Sequence, residues 1–546
     1  LYSSAASDVY KRQDPTYLHR YYALFLTDDW KVTSRLTLTL GLRWDYESPN
    51  YERYNRIIRG FDWNAASPIA AQVKGLTLRG AVLFAGAGGQ PRHVFEPDKN
   101  NFQPRMGAAY RIGQRWVIRG GYGLYYLGQN ENGSTQGFSR TTSAIVSTDG
   151  GLTPAVTLAH AFANLPGGRL YDPIGASQGA ASFLGESVPG QYFDRPLPYS
   201  HQYSFDIQRE LPFNVLVEVG YVGNATRKLP MGVGLNYLPT SELGRRTPVG
   251  VIDTAYYTGR IPNPMVGLIP NNPALNDTTI PRQSLLVAYP QYSGVSLSSV
   301  PIGKMRYHGF QSKFTKRYSR GLTFMGSYTI MKNLEQVNML NAQDFVLSKP
   351  GETPLEKRSA GQVDIPQKFV IAGVYELPFG RGKSIGANWA PALDHLLGGW
   401  QLNWDTTYSR GVVVSYPNAK QVRAGSAKLS GSEQRFDRWF NTSLWDDPAT
   451  GRRVSPQEPY TLRDFPTLFG DVRTPGYGIW DASVSKYFPI RERMKLQFRF
   501  EMINAFNHPW FPNIASVGVT AANFAQLDPT QRNLPRNIKL VLLLNW

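Results

Sequence analysis

Strand-like segments run from Tyr21 to Trp546, and the connections between them alternate between very short and very long. Soluble sandwiches and propellers have fairly even connections. A barrel that crosses a membrane has short turns at one edge and long loops at the other, and its strands alternate apolar and polar residues over about ten positions. The alternation of the connections therefore favours a membrane-spanning barrel.

The segment from Arg35 to Glu47 shows the alternation within a strand most clearly. Every second side chain of a strand points to the same face, so the apolar and polar side chains of this segment separate onto two faces. The apolar face would carry Leu36, Leu38, Leu40, Leu42, Trp44 and Tyr46. The same pattern predicts thirteen strands, at residues 21–32, 35–47, 105–112, 116–126, 201–211, 215–223, 307–318, 322–331, 367–378, 400–409, 478–490, 495–502 and 538–546.

The lengths of the connections predict which edge of the sheet carries the loops. The tight connections are 33–34, 113–115, 212–214, 319–321 and 491–493, with 379–398 as a longer exception of the same kind. The long ones are rich in Pro and Gly and cover 48–104, 127–200, 224–306, 332–366, 412–477 and 505–537. Loops of such length argue against a compact soluble domain but are ordinary on the outer rim of a barrel. The sequence thus predicts an all-β fold, a transmembrane antiparallel β-barrel with long extracellular loops.

Composition supports this fold and narrows the function. The longest clean apolar run is Val541–Leu544, far short of the about 20 residues of a spanning helix. The chain lacks cysteine, which excludes disulfides, thiol catalysis and cysteine metal sites. Its formal charge of +18 comes from scattered basic residues. That distribution favours solvated loops, and attraction to anionic lipopolysaccharide or an acidic ligand, over nucleic-acid binding.

Aromatic residues cluster at the ends of the predicted strands rather than at their centres. Such residues are enriched where a membrane meets water, so these positions are candidates for the membrane interface. On the alternation alone, a soluble sheet with its apolar face in a core stays open as an alternative. The candidate interface residues are Trp30, Trp44, Tyr46, Trp116, Tyr126, Tyr318 and Phe488.

The direction and number of the strands lead to an expectation about the start of the chain. If the tight turns are periplasmic, strand 21–32 descends and the last strand ends in the periplasm. Single-chain bacterial barrels have an even number of strands, so we expect at least one further strand upstream. Residues 1–13 share no pattern with the rest and resemble translated adapter or vector sequence, so we expect them not to be native.

Four pieces of sequence resemble the TonB-dependent receptor superfamily, and specifically the Oar-like barrels of acidobacterial type. They are Tyr22–Thr33 with Leu36–Asp45, Asn101–Tyr110 with Val117–Tyr126, Arg499–Phe511, and the final strand with its aromatic end. The resemblance implies that residues 14–546 are the C-terminal part of a barrel of about 22 strands. It also implies a plug upstream that engages TonB, often preceded by a small carboxypeptidase-regulatory-like domain.

No motif points to catalysis. The seven histidines form no HExxH or HxxxH pair, and the Gly-rich stretch Arg119–Gly123 lies within a strand pattern with no helix after it to bind phosphate. No Ser-His-Asp group or carboxylate pair has a local signature. We therefore expect no enzyme activity, no metal site and no cofactor.

The last strand is the one segment to which the sequence assigns a role. A final strand with a terminal aromatic residue resembles the signal that the barrel-assembly machinery reads, and its outer face would carry Ile538, Leu540, Leu542, Leu544 and Trp546. For the whole chain, the resemblance implies a receptor in the outer membrane of a Gram-negative bacterium, surrounded by lipid and lipopolysaccharide, whose loops capture an unknown ligand. An outer-membrane adhesion or scaffold protein is the main alternative, and a soluble β-rich carbohydrate-binding protein is a weaker one.

Overall fold

One antiparallel sheet dominates the computed structural model, which describes residues 6–12, 15–128, 138–145, 153–160, 162–163, 172–173, 175–269, 272–490 and 494–546. Thirteen strands follow one another in this sheet in chain order, each hydrogen-bonded to the next. Every one of the thirteen predicted segments is a strand, so the prediction of an all-β antiparallel sheet is confirmed. The strands are β1 Tyr21–Lys31, β2 Leu36–Glu47, β3 Asn101–Ile112, β4 Trp116–Tyr126, β5 Tyr199–Leu211, β6 Val215–Gly234, β7 Gly294–Ser319, β8 Leu322–Gln336, β9 Gln367–Glu376, β10 Trp400–Ser409, β11 Tyr477–Pro489, β12 Lys495–Ile503 and β13 Asn537–Asn545.

Two strands are much longer than predicted. The sequence predicts 215–223 for β6 and 307–318 for β7, whereas the strands contain 20 and 26 residues. A strand crosses a membrane with about 9–11 residues, so both continue beyond it on the side of the long loops. Register shifts interrupt their pairing between Thr226 and Val233. Bulges of this kind break the strict alternation on which the prediction depends, and the predicted boundaries are therefore wrong here.

The outer face of the sheet is largely apolar. Between β12 and β13, Phe498 is paired with Leu542 and Phe500 with Leu540. Leu540 and Leu542 are nevertheless 70% and 66% exposed. Such a face suits lipid, because each strand from β2 to β12 is hydrogen-bonded to a neighbour on both sides. β1 and β13 form the two ends of the sheet.

The inner face of the sheet is polar, as the alternation predicts. Arg43 on β2 is paired with Gln103 on β3, and Arg119 on β4 is paired with Asp206 on β5. Each of these residues lies one position away from an outward apolar neighbour, because side chains alternate between the two faces.

The long connections fold into two compact bodies above one edge of the sheet, here called the first and second loop modules. Each encloses its own cluster of buried hydrophobic side chains, so these connections are compactly folded despite their Pro and Gly content. The first loop module contains the described residues of 48–100, 175–198, 235–293 and 337–366, and the second contains 410–476 and 504–536. Their cores include Ile58, Phe61, Met265 and Tyr292 in the first module, and Phe440, Trp445, Phe469 and Phe524 in the second.

Short elements complete the structure. Antiparallel pairs join Ala6–Arg12 to Ser139–Ile145, Tyr17–Leu18 to Tyr51–Glu52, Ile58–Ala66 to Arg79–Phe84, Arg260–Pro262 to Thr279–Pro281, and Val413–Ser415 to Leu468–Arg473. Ser187–Gln191 runs parallel to β7, and Arg358–Ser359 pairs with β8. The α-helices are α1 Thr254–Thr258, α2 Pro273–Asn276 and α3 Pro391–Leu397. The 3₁₀ helices are Ala70–Gln72, Leu158–His160, Gly179–Ala181, Pro212–Asn214, Thr240–Glu242, Arg282–Leu285, Ala342–Asp344, Pro350–Glu352, Gly361–Val363 and Thr442–Trp445.

Within the described ranges, the helices are too short or too polar for any of them to cross a membrane.

Candidate functional site

The predicted interface aromatics fall into two bands on the sheet. Trp44, Tyr46 and Tyr126 lie near the edge that carries the loop modules, while Trp30, Trp116, Tyr318 and Phe488 lie near the edge with the short turns. Along β2, eight residues separate Tyr46 from Leu38, which is paired with Trp30. At about 3.4 Å per residue this is roughly 27 Å along the strand, or about 20 Å across a membrane once the strand tilt is included.

The band at the loop edge is ordered by contacts between its own rings. The Tyr46 ring stacks on the rings of Tyr22 and Trp44, with centroids 6.2 and 6.3 Å away. Trp44 Nε1 donates to the carbonyl oxygen of Lys99 at 2.7 Å. Tyr126 packs against Tyr199 on the neighbouring strand, at 5.8 Å between centroids. These side chains have apolar bodies and polar tips, which suits a boundary between lipid and water.

The band at the turn edge adds cations to the aromatic rings. The Arg209 guanidinium lies 4.4 Å from the Trp116 ring centroid, and the Lys486 ammonium lies 5.0 Å from that of Phe488. Long basic side chains at a membrane boundary bury their stems in apolar surroundings and keep their charged ends near polar groups. This arrangement is the one expected beside phospholipid headgroups.

The final strand presents the predicted apolar stripe. Its outward residues are paired with outward apolar residues of β12, from Ile538 opposite Met502 to Leu544 opposite Leu496. β13 ends at Asn545, so Trp546 lies one residue past the strand rather than within it, and its side chain is 88% exposed. An aromatic ring at this point is free to reach the turn-edge interface.

Two tyrosine–histidine pairs on the outer face are absent from the sequence prediction. Tyr122 Oη lies 2.7 Å from His201 Nδ1 on β5, and Tyr221 Oη lies 2.6 Å from His308 Nδ1 on β7. The sequence shows the four residues at outward positions of their strands, but only the register between strands brings each pair together. They extend the loop-edge aromatic band.

A bulge above that band gathers four cations on the outer face. Between two paired positions, Arg227 and Lys228 of β6 oppose the single residue Lys304 of β7, and Arg306 lies two residues below Lys304. Lys228 has a φ of 57° and its ammonium lies 5.7 Å from the Tyr199 ring centroid. Within the described part of the chain, no ion pair joins these four side chains to a carboxylate. They form an uncompensated basic patch.

A cavity of about 710 Å³ lies where β10 and β11 leave the sheet and enter the second loop module. Trp510 forms part of its wall, held by a bond from its Nε1 to Pro475 and by contact with Tyr477 at 4.9 Å. Arg410 and Arg532 contribute positive charge to the same cavity. An aromatic wall with two guanidinium groups suits an acidic organic ligand.

The two loop modules meet around Tyr460. Its ring stacks on that of Tyr257 with centroids 4.0 Å apart, and its hydroxyl donates to Gln283 at 2.8 Å. Beside this stack, Arg246 and Glu458 form an exposed ion pair at 2.5 Å. The modules are thus joined into one surface above the sheet.

Asp364 forms a second junction, and its side chain is completely buried. It accepts hydrogen bonds from the Asn333 backbone N–H at 2.7 Å, from Lys332 at 3.0 Å and from Arg473 at 2.5 Å. Burial alone would raise the pKa of this carboxyl, but the three donors outweigh burial and hold the pKa below its ordinary value. The carboxylate therefore joins the end of β8 to the second loop module.

Arg195 is a buried cation at the base of the first loop module. Its guanidinium lies 3.4 Å from the Phe95 ring centroid and donates to Ser299 Oγ at 3.1 Å. Burial lowers its pKa to about 10, so it stays charged at neutral pH. For potential metal ligands, the described residues contain no group of three His, Asp or Glu side chains close enough to hold an ion.

The family model described as "Outer membrane beta barrel domain" matches residues 2–539. This match covers nearly the whole chain, and the chain belongs to that family of outer-membrane β-barrels. The predicted membrane barrel and the predicted location in the outer membrane of a Gram-negative bacterium are confirmed, and the soluble alternative is wrong. No curated protein matches the chain.

The solved structures to which the chain is similar include one receptor and two transporters. They include the ferripyoverdine receptor of Pseudomonas aeruginosa, at 10% identity over 96% of this chain and 38% of that one, with a TM-score of 0.38. The outer membrane transporter YddB of Escherichia coli is 11% identical over 96% and 44%, and the FrpB iron transporter of Neisseria meningitidis is 11% identical over 97% and 46%, both with a TM-score of 0.39. The chain thus spans less than half the length of these proteins.

Proposed function

We propose that this barrel belongs to a receptor that captures a ligand in its loop modules and imports it with energy transmitted by TonB. The observation that carries the proposal is the folding of the long loops into two modules joined at Tyr460. Binding surfaces of receptors are built on loops that a rigid scaffold positions. The 710 Å³ cavity beside Trp510 supplies a concave site of the size that small ligands occupy.

The decisive experiment uses the full-length protein and the purified periplasmic domain of TonB. Retention of the protein on immobilised TonB domain, together with loss of binding when the segment upstream of the barrel is removed, is the expected result. An outer-membrane adhesion or scaffold protein is the second candidate, because exposed loop modules also bind surfaces. That candidate predicts surface attachment that is unchanged in a strain without TonB.

The charges around the cavity favour an acidic ligand. Arg410 and Arg532 lie in its lining together with a single carboxylate, Asp528. Two hydrogen bonds within the local turn, from the hydroxyl and the backbone N–H of Thr530, lower the pKa of Asp528, so it is ionised at neutral pH. Replacing Arg532 with Gln should weaken binding of an acidic ligand, whereas the same change at the distant, exposed Arg53 should have no effect.

We further propose that lipopolysaccharide binds at the basic patch of Arg227, Lys228, Lys304 and Arg306. The patch lies directly above the loop-edge aromatic band, at the depth where phosphate groups of the outer leaflet would sit. Basic side chains bind phosphate through charge-assisted hydrogen bonds. The double variant Lys304→Gln with Arg306→Gln should carry less co-purified lipopolysaccharide than Lys313→Gln, which changes an inward residue of the same strand. Equal amounts in both variants would argue against the site.

We also propose that the barrel-assembly machinery recognises the last strand. Its regular apolar stripe and the exposed Trp546 ring are the features that such machinery would read. Trp546→Ala should slow assembly of the barrel in the outer membrane, while Asn545→Ala should not. Equal assembly rates for the two variants, measured by the appearance of the heat-modifiable folded band, would contradict this role.

A further inference from the structure

The long turn between β9 and β10 differs from the other turns that the structure describes at its edge of the sheet. The other described turns there contain two to four residues, whereas Leu377 to Gly399 contains 23 residues and the helix α3. The sequence predicts this connection only as an exception in length. The contacts of α3 show where the additional residues go.

The C-terminal end of α3 is bound to side chains of the outer face. Trp400 Nε1 donates to the Leu396 carbonyl oxygen at 3.0 Å, and Lys486 Nζ donates to that of His395 at 2.5 Å. Trp400 and Lys486 are paired across β10 and β11. Lys486 is in turn paired with the outward Phe498, so both side chains are on the apolar outer face. The helix therefore lies outside the barrel wall rather than beneath the lumen.

The ring contacts of the helix agree with this position. His395 lies 5.5 Å from Phe488, a residue of the turn-edge aromatic band. A cation at a helix C-terminus also interacts favourably with the unpaired carbonyls there, and the Lys486 ammonium occupies that place. The helix is thus fixed at the level of the turn-edge aromatic band.

Three leucines of α3 are substantially exposed. Leu393, Leu396 and Leu397 are 41%, 65% and 44% exposed. Their spacing of three and four residues places them on one face of the helix. Beside the leucines, the Asp394 carboxylate accepts from the Arg381 backbone N–H at 2.7 Å, which holds the helix to its own turn.

We propose that α3 is an interfacial helix. Its three leucines insert into the phospholipid of the inner leaflet of the outer membrane. The occupant follows from continuity, because the leucines extend the same apolar outer face that lipid already covers. The binding mode is that of an amphipathic helix lying in the plane of the interface. This inference depends on the outer-membrane location and on short turns that face the periplasm, so loss of TonB binding would leave it intact.

The test uses site-directed spin labelling, since residues 1–546 contain no cysteine that would compete for the label. Leu396→Cys and, as a control in the same turn, the exposed Ser384→Cys are labelled with a nitroxide in the full-length protein reconstituted in phospholipid vesicles. At position 396 we expect the ratio of collisions with oxygen to collisions with a water-soluble nickel chelate to be several-fold higher than at position 384. A heat-dependent gel shift verifies that both proteins are folded.

Two results would overturn the proposal. Equal accessibility to nickel at both positions would place the helix in water. Protection of position 396 from both oxygen and nickel would mean that protein, not lipid, covers it. Adding Lys486→Met to Leu396→Cys supplies a further check, because release of the helix end should raise nickel accessibility while the folded band persists.

Discussion

The thirteen-stranded sheet and the loop modules place their apolar side chains in opposite ways, on the outside in the sheet and in the interior in the modules. The sheet turns its apolar side chains outward, and Leu540 stays 70% exposed. The second loop module encloses Trp445 completely, at 0% exposure. Hydrophobic burial therefore stabilises the modules in water, whereas the strand hydrogen bonds and the surrounding lipid stabilise the sheet. Among the residues that the structure describes, the clusters of buried hydrophobic side chains lie in the loop modules and the strand extensions beside them.

The largest expected effect tests whether the modules are independent of the sheet. Trp445→Ala removes a fully buried ring whose Nε1 donates to Ala419 at 2.9 Å, and it should destabilise the second loop module by about 3–5 kcal/mol. Limited proteolysis should then cut within residues 410–476 while the heat-dependent gel shift of the barrel is retained. Leu462→Ala, at a 43% exposed side chain of the same module, is the control. Loss of the barrel band as well would show that the two regions fold as one unit.

The second prediction compares the cost of a charge on the lipid side of the last strand with the cost of the same charge on its inner side. Leu542→Arg places a charge on the lipid side of β13, and should cost about 2–4 kcal/mol if position 542 is near the middle of the membrane. Leu543→Arg places the same charge on the inner side, opposite Gln497, and should cost much less. Equilibrium unfolding by urea in lipid vesicles measures the difference. Equal destabilisation by both variants would contradict the assignment of the two faces.

The third prediction concerns the pH dependence of the junction at Asp364. Because its folded pKa is depressed, its stabilising contribution is fully present above its unfolded pKa of about 3.9 and is lost as pH falls through the lower folded value. Asp364→Asn should therefore weaken the junction by about 2 kcal/mol at pH 7, and by little at strongly acid pH. Hydrogen exchange of the backbone amides of residues 468–473 measures the stability of the junction at each pH. Asp464→Asn, which breaks the exposed pair with Lys420, should leave the exchange unchanged at both pH values.

The smallest expected effect concerns the contact between the modules. Tyr460→Leu removes the stacking on Tyr257 and should weaken the junction by about 1 kcal/mol. Tyr460→Phe keeps the stack and loses only the hydrogen bond to Gln283. The two variants therefore separate the contribution of the ring from that of the hydroxyl. Protection from hydrogen exchange around residues 254–258 provides the measurement. Identical behaviour of the two variants would assign the junction to the hydroxyl rather than to the ring.

Much of the sheet could be predicted because its information is local. In the segment from Leu36 to Tyr46, the alternation of apolar and polar residues assigns each side chain to one face of the strand. All thirteen strands are predicted from patterns of this kind. The ends of β6 and β7 escaped prediction because bulges near Thr226 disturb the alternation. The basic patch at Lys304 was missed for a different reason, since its members are neighbours only through the register of two strands.

The sequence by itself determined the number and order of the strands, the two faces of the sheet and the edges that carry turns or loops. These properties depend on the repeat of two residues and on connection length. The tertiary structure alone decided that the loops form two modules, that Asp364 meets Arg473, and that α3 lies on the outer wall against Trp400 and Lys486. Such contacts join residues distant along the chain, and no local pattern records which of them will meet.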